Sequence, residues 1–316
     1  MSAPGPTDAD GRVRVGMFLP RQVLDAGAAT IRLALAAIAD AGLDHVAASD
    51  HVSFQTGWGI DGIVQATALA AAEQRLPVAI GVYLLPLRDP VVVSRQLSTF
   101  AQLTHGALEL GVGVGGEDPH EYDVCGIDPR TRGRRMDECL TIVRMLSGGQ
   151  PIDFDGEFFH LDQARVAPAP ARPIPIVIGG RSPAALRRAG RLGDGWLAAW
   201  TSADRFASGL VQIEQAANEA GRGPRKWRHG FQPWIGLGPD DADARAAVAA
   251  PIEAMYRLPF ERFERYSPSG SPATIAAFLK PYVEAGCTRF NLAAQAEDWR
   301  RAVDGVAEIR SLLHAR

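Results

Sequence analysis

The chain has 316 residues, 47% of them hydrophobic and 22% charged, with a formal net charge of −3; these values lie near the averages of globular enzymes and exclude a fibrous or disordered chain. Its 33 basic residues are arginines except for Lys226 and Lys280, and so near-neutral a balance argues against bulk nucleic-acid binding. No apolar run approaches the roughly 18 to 20 residues of a membrane helix, and the start, MSAPGPTDADGR, is polar and rich in Pro and Gly. A cytoplasmic protein is expected, with a flexible tail over residues 1–12 and one domain over residues 13–316. Cys125, Cys139 and Cys287 form no CxxC, and the seven histidines show no HxxxH or HExxH spacing. Neither a disulfide framework nor a metal site is expected.

In chain order, the apolar run Val13 to Leu19 predicts a strand, and Ala28 to Ala41, with Ile31, Leu35 and Ile38 at helical spacing, predicts a helix ended by Gly42. A short strand His45 to Ala48 follows, then a Gly/Trp-containing loop from Phe54 to Ile60 and a helix over Ile63 to Gln74. Strand Val78 to Leu85 pairs with helix Pro90 to Thr104. Strand Ala107 to Val112 is followed, after a long loop, by helix Arg132 to Leu146. Residues 150–175 change character: PIDFDGEFFHL reads as a small hairpin turning at Asp155-Gly156, and VAPAPARPIP as a Pro-rich connection, together an insertion. Units resume with strand Ile176 to Ile178 and helix Pro183 to Leu192, strand Trp196 to Trp200 and helix Ala203 to Ala220, strand Gly230 to Leu237 and helix Asp241 to Tyr256. Helix Pro272 to Ala285, strand Arg289 to Ala293 and helix Trp299 to Leu313 close the count. Eight short apolar strands alternating with helices fit a parallel sheet buried on both faces. An α/β fold of the (β/α)8 TIM-barrel type with insertion segments is expected, a doubly wound open sheet being the alternative.

Three segments can carry chemistry. Gly111-Val-Gly-Val-Gly-Gly116 matches GxGxxG after a strand, but Glu117, Asp118 and Pro119 follow where a dinucleotide fingerprint needs a helix to open on the pyrophosphate. Its glycines serve either the close approach of a flat ligand or a tight turn. In Ile178-Gly-Gly-Arg-Ser-Pro-Ala-Ala-Leu-Arg-Arg188, Ser182 at the N-cap and Pro183 at N1 announce a helix start. Its free N–H groups favour an anion, with Arg181 and Arg187 nearby. The same pattern also describes an ordinarily capped helix. Ser49-Asp50-His51 ends the second strand, where a barrel places its active site, so His51 is suited to proton transfer with Asp50 orienting the ring. A His that merely caps a loop is the competing reading. Glu117, Asp118 and Glu121 form an acidic cluster after the fourth strand, and Phe54 and Trp58 suit a substrate wall.

SDH after strand two, AIGVYLLPLRDPVVVSRQLSTFAQLTHGALELGVGVGG through strands three and four, RGRRMDECLTIVRMLSG, and PIVIGGRSPAALRRAGRLGDGW together resemble the luciferase-like monooxygenase superfamily, from about Val13 to Ala294. The chain is most similar to the branch that uses the deazaflavin coenzyme F420. The resemblance implies a (β/α)8 barrel binding F420, or alternatively FMN, at its mouth, a small-molecule substrate and a homodimer. It implies His51 as proton donor or acceptor, and a cis Gly81-Val82 bond forming a bulge behind the ring. Gly113 and Gly115 would lie at the cofactor, and Gly179, Gly180, Arg181 and Ser182, with Arg187, would hold its phosphate. Sugar-phosphate dehydrogenases of this branch carry a catalytic Glu directly after a single Gly; here Gly115 and Gly116 precede Glu117, and neither Lys226 nor Lys280 matches their phosphate pocket. A sugar-phosphate substrate is therefore not expected. The leading expectation is a hydride-transferring F420-dependent oxidoreductase with His51, Asp50 and Glu117 at its site. Its rivals are an FMN-dependent monooxygenase and a non-catalytic ligand-binding barrel.

Overall fold

The computed structural model describes residues 12–55, 57–104, 107–116 and 118–315. Eight parallel strands form the barrel: β1 (Arg14–Phe18), β2 (His45–Ala48), β5 (Val78–Tyr83), β6 (Leu108–Val112), β9 (Ile176–Gly179), β10 (Gly195–Ala198), a seventh strand in two pieces, β11 (Gly230–Phe231) and β12 (Trp234–Leu237), and β14 (Arg289–Gln295). β1 pairs with β14 from Arg14↔Arg289 to Met17↔Leu292, which closes the ring and excludes the open sheet. Between and around them lie α1 (Arg21–Asp25), α2 (Ala28–Asp40), the hairpin β3 (His51–Phe54) and β4 (Trp58–Ile60), α3 (Gly62–Ala72), α4 (Pro90–Leu103), α5 (His120–Val124) and α6 (Arg132–Leu146). The second half adds the hairpin β7 (Ile152–Asp155) and β8 (His160–Ala164), α7 (Pro183–Leu192), α8 (Ala203–Glu219), α9 (Asp241–Tyr256), β13 (Ser269–Gly270), α10 (Pro272–Glu284) and α11 (Trp299–His314). The long helices end within two residues of the bounds that their periodicity predicts. The sequence pattern does not signal α1, α5 or the pair β3 and β4, which fall in expected loops, nor the break in the expected seventh strand at residues 232–233, where Pro233 cannot donate to a ladder. The expected tail falls almost wholly on residues 1–11, outside the described residues.

Alternation along the strands builds two shells. Val15, Met17, Val46, Ile80, Leu110, Ile178, Trp196, Phe231 and Leu292 face the helices and join one continuous apolar core. The helices start at the strands' C-terminal end, and Asp or Ser caps them there: Asp61, Asp89, Ser182, Ser202, Asp240, Ser271 and Asp298 each accept from backbone N–H groups of the first turn. The insertion hairpin joins the same core through Ile152 and Phe159.

The inner shell is polar at its base. Glu109 accepts from Arg228 Nε at 2.9 Å and pairs with Arg289 Nη1 at 2.8 Å, both side chains of the latter pair being 5% exposed. Above them His45 Nε2 donates to Asn291 Oδ1 (2.7 Å), Asn291 Nδ2 donates to Gln232 Oε1 (3.4 Å), and Gln232 Nε2 donates to the Gly81 carbonyl (3.0 Å). Burial pushes the His45 imidazole below its ordinary range, with Arg289 adding to the effect. The neutral ring fits its role as donor. Burial also lowers His229 to about 4.

Glu109→Gln removes the counter-charge of buried arginines and should cost on the order of 3 kcal/mol in chemical denaturation; an unchanged midpoint would show that the cluster is not holding the barrel base. An unfolded histidine takes its proton near pH 6.5 and folded His229 only near 4, so between those values the unfolded chain binds more protons. Stability should therefore fall as pH drops through that window, by roughly 3 kcal/mol from this residue. The His229→Gln variant should show a shallower slope.

Candidate active site

The mouth of the barrel begins where the inward side chains lose their charge. The inward positions along its rim are Phe18, Ser49, Val82, Gly113, Gly179, Ala199, Trp234 and Ala293. Val82 follows a cis Gly81-Val82 peptide, the bond expected from the resemblance. Its side chain lies where Cβ atoms on Gly113 and Gly179 would fall (2.6 and 2.8 Å), and a Cβ on Gly81 would lie 2.1 Å from Gln232 Oε1. The glycines of the Gly111–Gly116 run thus make room first for the protein's own Val82. Further along it, Gly115 (φ +62°) and Gly116 (φ +109°) turn the chain toward α5.

Asp50 does not orient His51. It is buried and accepts from Gly62 N (2.9 Å), Leu84 N (2.8 Å) and Arg88 Nη2 (2.7 Å), which occupies it with strand three and the start of α3. Burial pushes its carboxyl up, Arg88 opposing. The ring's partner comes from α5: His51 Nδ1 lies 3.0 Å from Glu121 Oε2, and the other oxygen accepts from Val52 N (2.7 Å) and Ser53 N (3.3 Å). Burial raises the Glu121 carboxyl, yet the bond and charge of His51 and the two amides outweigh it and hold the group below its usual range. An ionised carboxylate can only accept, so Nδ1 carries a proton, and Nε2 is the ring nitrogen left to exchange one with a ligand. Among the described residues Nε2 has no hydrogen-bond partner. Phe54 and Trp58 pack against the imidazole with ring centroids at 4.4 and 5.9 Å.

α5 has only five residues, and its position is fixed by Tyr122, which is buried against Leu84 and Leu87 and donates its hydroxyl to the Val114 carbonyl. One buried carboxylate in a five-residue helix leaves no periodic signal, so in the sequence Glu121 reads only as part of an acidic cluster. Asp118 of the same cluster accepts from Gln55 N at 2.5 Å, so the hairpin β3–β4 is held by two acids. Glu117 lies outside the described residues.

Across the barrel, after strand five, Ser182 caps α7 by accepting from Ala185 N at 3.2 Å, with Pro183 next. Gly180 (φ +103°), Arg181, Ser182 and Arg187 are exposed there. Arg188, beside Arg187, is instead buried on Asp137 and the Gly133 carbonyl. Arg181 Nη1 approaches the Trp200 carbonyl at 3.4 Å. No three His, Cys, Asp or Glu side chains among the described residues could jointly hold a metal, and no helix is long and apolar enough to cross a membrane.

An uncharacterized protein of Mycobacterium tuberculosis is 37% identical over 163 residues, an alignment covering 52% of this chain and 56% of that protein. The chain thus spans little more than half the length of that relative. A Kineococcus radiotolerans protein named F420-dependent glucose-6-phosphate dehydrogenase is 28% identical over 290 residues, covering 82% of this chain and 85% of the relative. Among solved structures, an F420-dependent secondary alcohol dehydrogenase in complex with an F420-acetone adduct superimposes with a TM-score of 0.84 at 20% identity, covering 96% of this chain and all of the other; it shares the barrel fold. The family model described as luciferase-like monooxygenase matches residues 13–308, nearly the whole barrel and its mouth, and the chain belongs to that family.

Proposed function

We propose that this protein is an oxidoreductase that uses coenzyme F420 to exchange a hydride with a small organic molecule, His51 taking or giving the accompanying proton. The observation that carries this reading is the His51–Glu121 pair at the mouth: an ionised, buried carboxylate on Nδ1 leaves Nε2 as a base beside an uncharged floor. Relatives named F420-dependent dehydrogenases support the choice of coenzyme.

The residues fit a deazaflavin. The ledge made by Gly81 and Val82, with Gly113 and Gly179 lacking side chains around it, suits a planar ring, and Gly115 turns the chain away beside it. Backbone N–H groups at Gly180 to Ser182 and the guanidinium groups of Arg181 and Arg187 suit a phosphate at the start of α7. When bound, the coenzyme supplies the hydride acceptor or donor. The chain's own contribution is to hold His51 in one tautomer, to keep its proton exchange on Nε2, and to exclude water with hairpin β3–β4 and the segment after strand seven. Glu121 acts through His51 as a positioning residue. Asp50 shapes the frame beneath them.

Titration with F420 and with FMN tests the coenzyme: tight quenching of deazaflavin fluorescence with weak FMN binding is expected, the reverse favours the monooxygenase alternative, and binding of neither leaves only a ligand-binding barrel. Arg181→Ala or Arg187→Ala should weaken F420 binding by roughly ten-fold if that side chain meets the phosphate; unchanged affinity in both would move the phosphate elsewhere. His51→Gln should keep F420 affinity and melting temperature while turnover falls by about 10² to 10⁴. Glu121→Gln should lower turnover by about ten-fold or more and shift the His51 tautomer seen by nitrogen NMR. A His51→Gln enzyme that turns over like its parent would end the proton-transfer role.

A further inference from the structure

Gln232 crosses the barrel. It stands at the break in the seventh strand, between β11 and β12, and its Nε2 reaches the Gly81 carbonyl on the third strand at 3.0 Å. Strands three and seven lie diametrically opposite in an eight-stranded ring, so this one amide spans the lumen at the level of the Val82 ledge. The approach needs a glycine at position 81, where a Cβ would lie 2.1 Å from Gln232 Oε1.

The Gly81 carbonyl also settles which way each amide behind it faces. A backbone carbonyl can only accept, so Gln232 turns its NH2 group to Gly81 and its oxygen to Asn291. Asn291 then donates from Nδ2 (3.4 Å), which leaves its Oδ1 for His45 Nε2 (2.7 Å) and requires a proton on that nitrogen. The opposite set of flips would set two carbonyl oxygens face to face at Gly81. His45, Asn291 and Gln232 are thus locked in one direction, and the series ends on a nitrogen with a hydrogen to spare. An amide NH2 carries two, and Gly81 takes one; among the described residues the other has no acceptor. His45 is 3% exposed, Asn291 1% and Glu109 at the base 4%. Gln232 is the first member of the series that solvent reaches, and with the layers below it sealed that access comes from the mouth.

We propose that Gln232 is a ligand-binding residue at the floor of the mouth, its second amide N–H donating to a carbonyl oxygen of the flat ring that rests on the Val82 ledge. The identity of that ring rests on the coenzyme reading above. Water can serve a partly exposed N–H. A ring that covers the floor expels that water, and the donor is then buried without a partner unless the ring brings an acceptor. A pyrimidinedione edge, such as a deazaflavin carries, brings carbonyl oxygens; a hydrocarbon ring brings none. Val82 and the glycines select a ligand by shape, and Gln232 adds selection by chemistry.

Calorimetry and visible absorbance of the parent, Gln232→Met and Gln232→Glu with F420 test the proposal. Met keeps the length of the side chain and removes the donor, so F420 affinity should fall about ten-fold and the absorption band of the bound coenzyme should shift from its position in the parent complex. Glu separates the ligand contact from the brace across the lumen, and it carries the test should Gln232→Met melt early. At about pH 5 a Glu facing a carbonyl is protonated; its single O–H serves Gly81, its other oxygen serves Asn291, and no second hydrogen remains. Measured beside the parent at that pH, Gln232→Glu should keep the parent's melting temperature while its affinity and absorption band follow those of Gln232→Met. Parent-like affinity in Gln232→Met, or parent-like affinity and band in Gln232→Glu, would overturn the proposal. A parent that binds FMN and not F420, with the same losses in both variants, would keep the Gln232 contact and overturn the coenzyme. A parent that binds neither would overturn both.

Discussion

One buried carboxylate organises the half of the mouth that carries His51. Asp50 takes N–H donors from the start of α3 and from Leu84, and a charged donor from Arg88, whose guanidinium also lies 4.5 Å over the Tyr83 ring. Leu84, placed in this way, forms with Leu87 the socket for Tyr122. Tyr122 fixes α5, and the residue before it, Glu121, fixes the ring of the residue after Asp50. The loop of contacts closes on the Asp-His dipeptide. Losing the Asp50 carboxylate would leave two amides without their acceptor and Arg88 with only the longer contacts to Asp61 (3.6 Å) and the Leu84 carbonyl (3.3 Å), so its removal acts on the site through structure and not through chemistry.

The glycine run after strand four shows how a motif can match a pattern for a different reason. In a dinucleotide site such glycines admit a pyrophosphate to a helix start. Here a Cβ on Gly113 would meet Val82 at 2.6 Å, and one on Gly111 would meet the Ile80 carbonyl at 2.1 Å, so what the strand admits is its neighbour. Strand three shifts register against strand four between Ile80 and Tyr83, and this brings Val82 inward. Three strands then share one ledge. A ring lying on it would touch Val82 across positions that bear no side chains.

What the sequence made legible follows from signal length. Long helices with an apolar face and an Asp or Ser cap declare both ends, as at Asp89-Pro90 and Ser182-Pro183. His51 was legible because barrel geometry puts every strand's C-terminal end at one mouth. Its partner was not: Asp50 is adjacent in sequence but committed elsewhere, while Glu121 lies 70 residues on and reaches His51 only through the packing of Tyr122. Hairpin β3–β4 escaped because strands of four and three residues around a Gly/Trp turn read as loop. The inward place of Trp234 on strand seven escaped for another reason. Trp234 faces inward only by its register past Pro233, which a one-residue bulge would have reversed.

Charge in the barrel interior is graded from base to mouth, and the gradient bears on reactivity. The base holds a carboxylate between two guanidinium groups, the middle holds neutral amides and a neutral imidazole, and the rim holds Ser49, apolar side chains and glycines. Each layer isolates the next, so the ion cluster that supports the fold is separated from the mouth by groups that carry dipoles but no net charge. At the mouth, His51 and Glu121 then sit beside apolar and aromatic surroundings that screen their field less than water would. Charge on this pair therefore acts over a longer range at the ledge than it would in water.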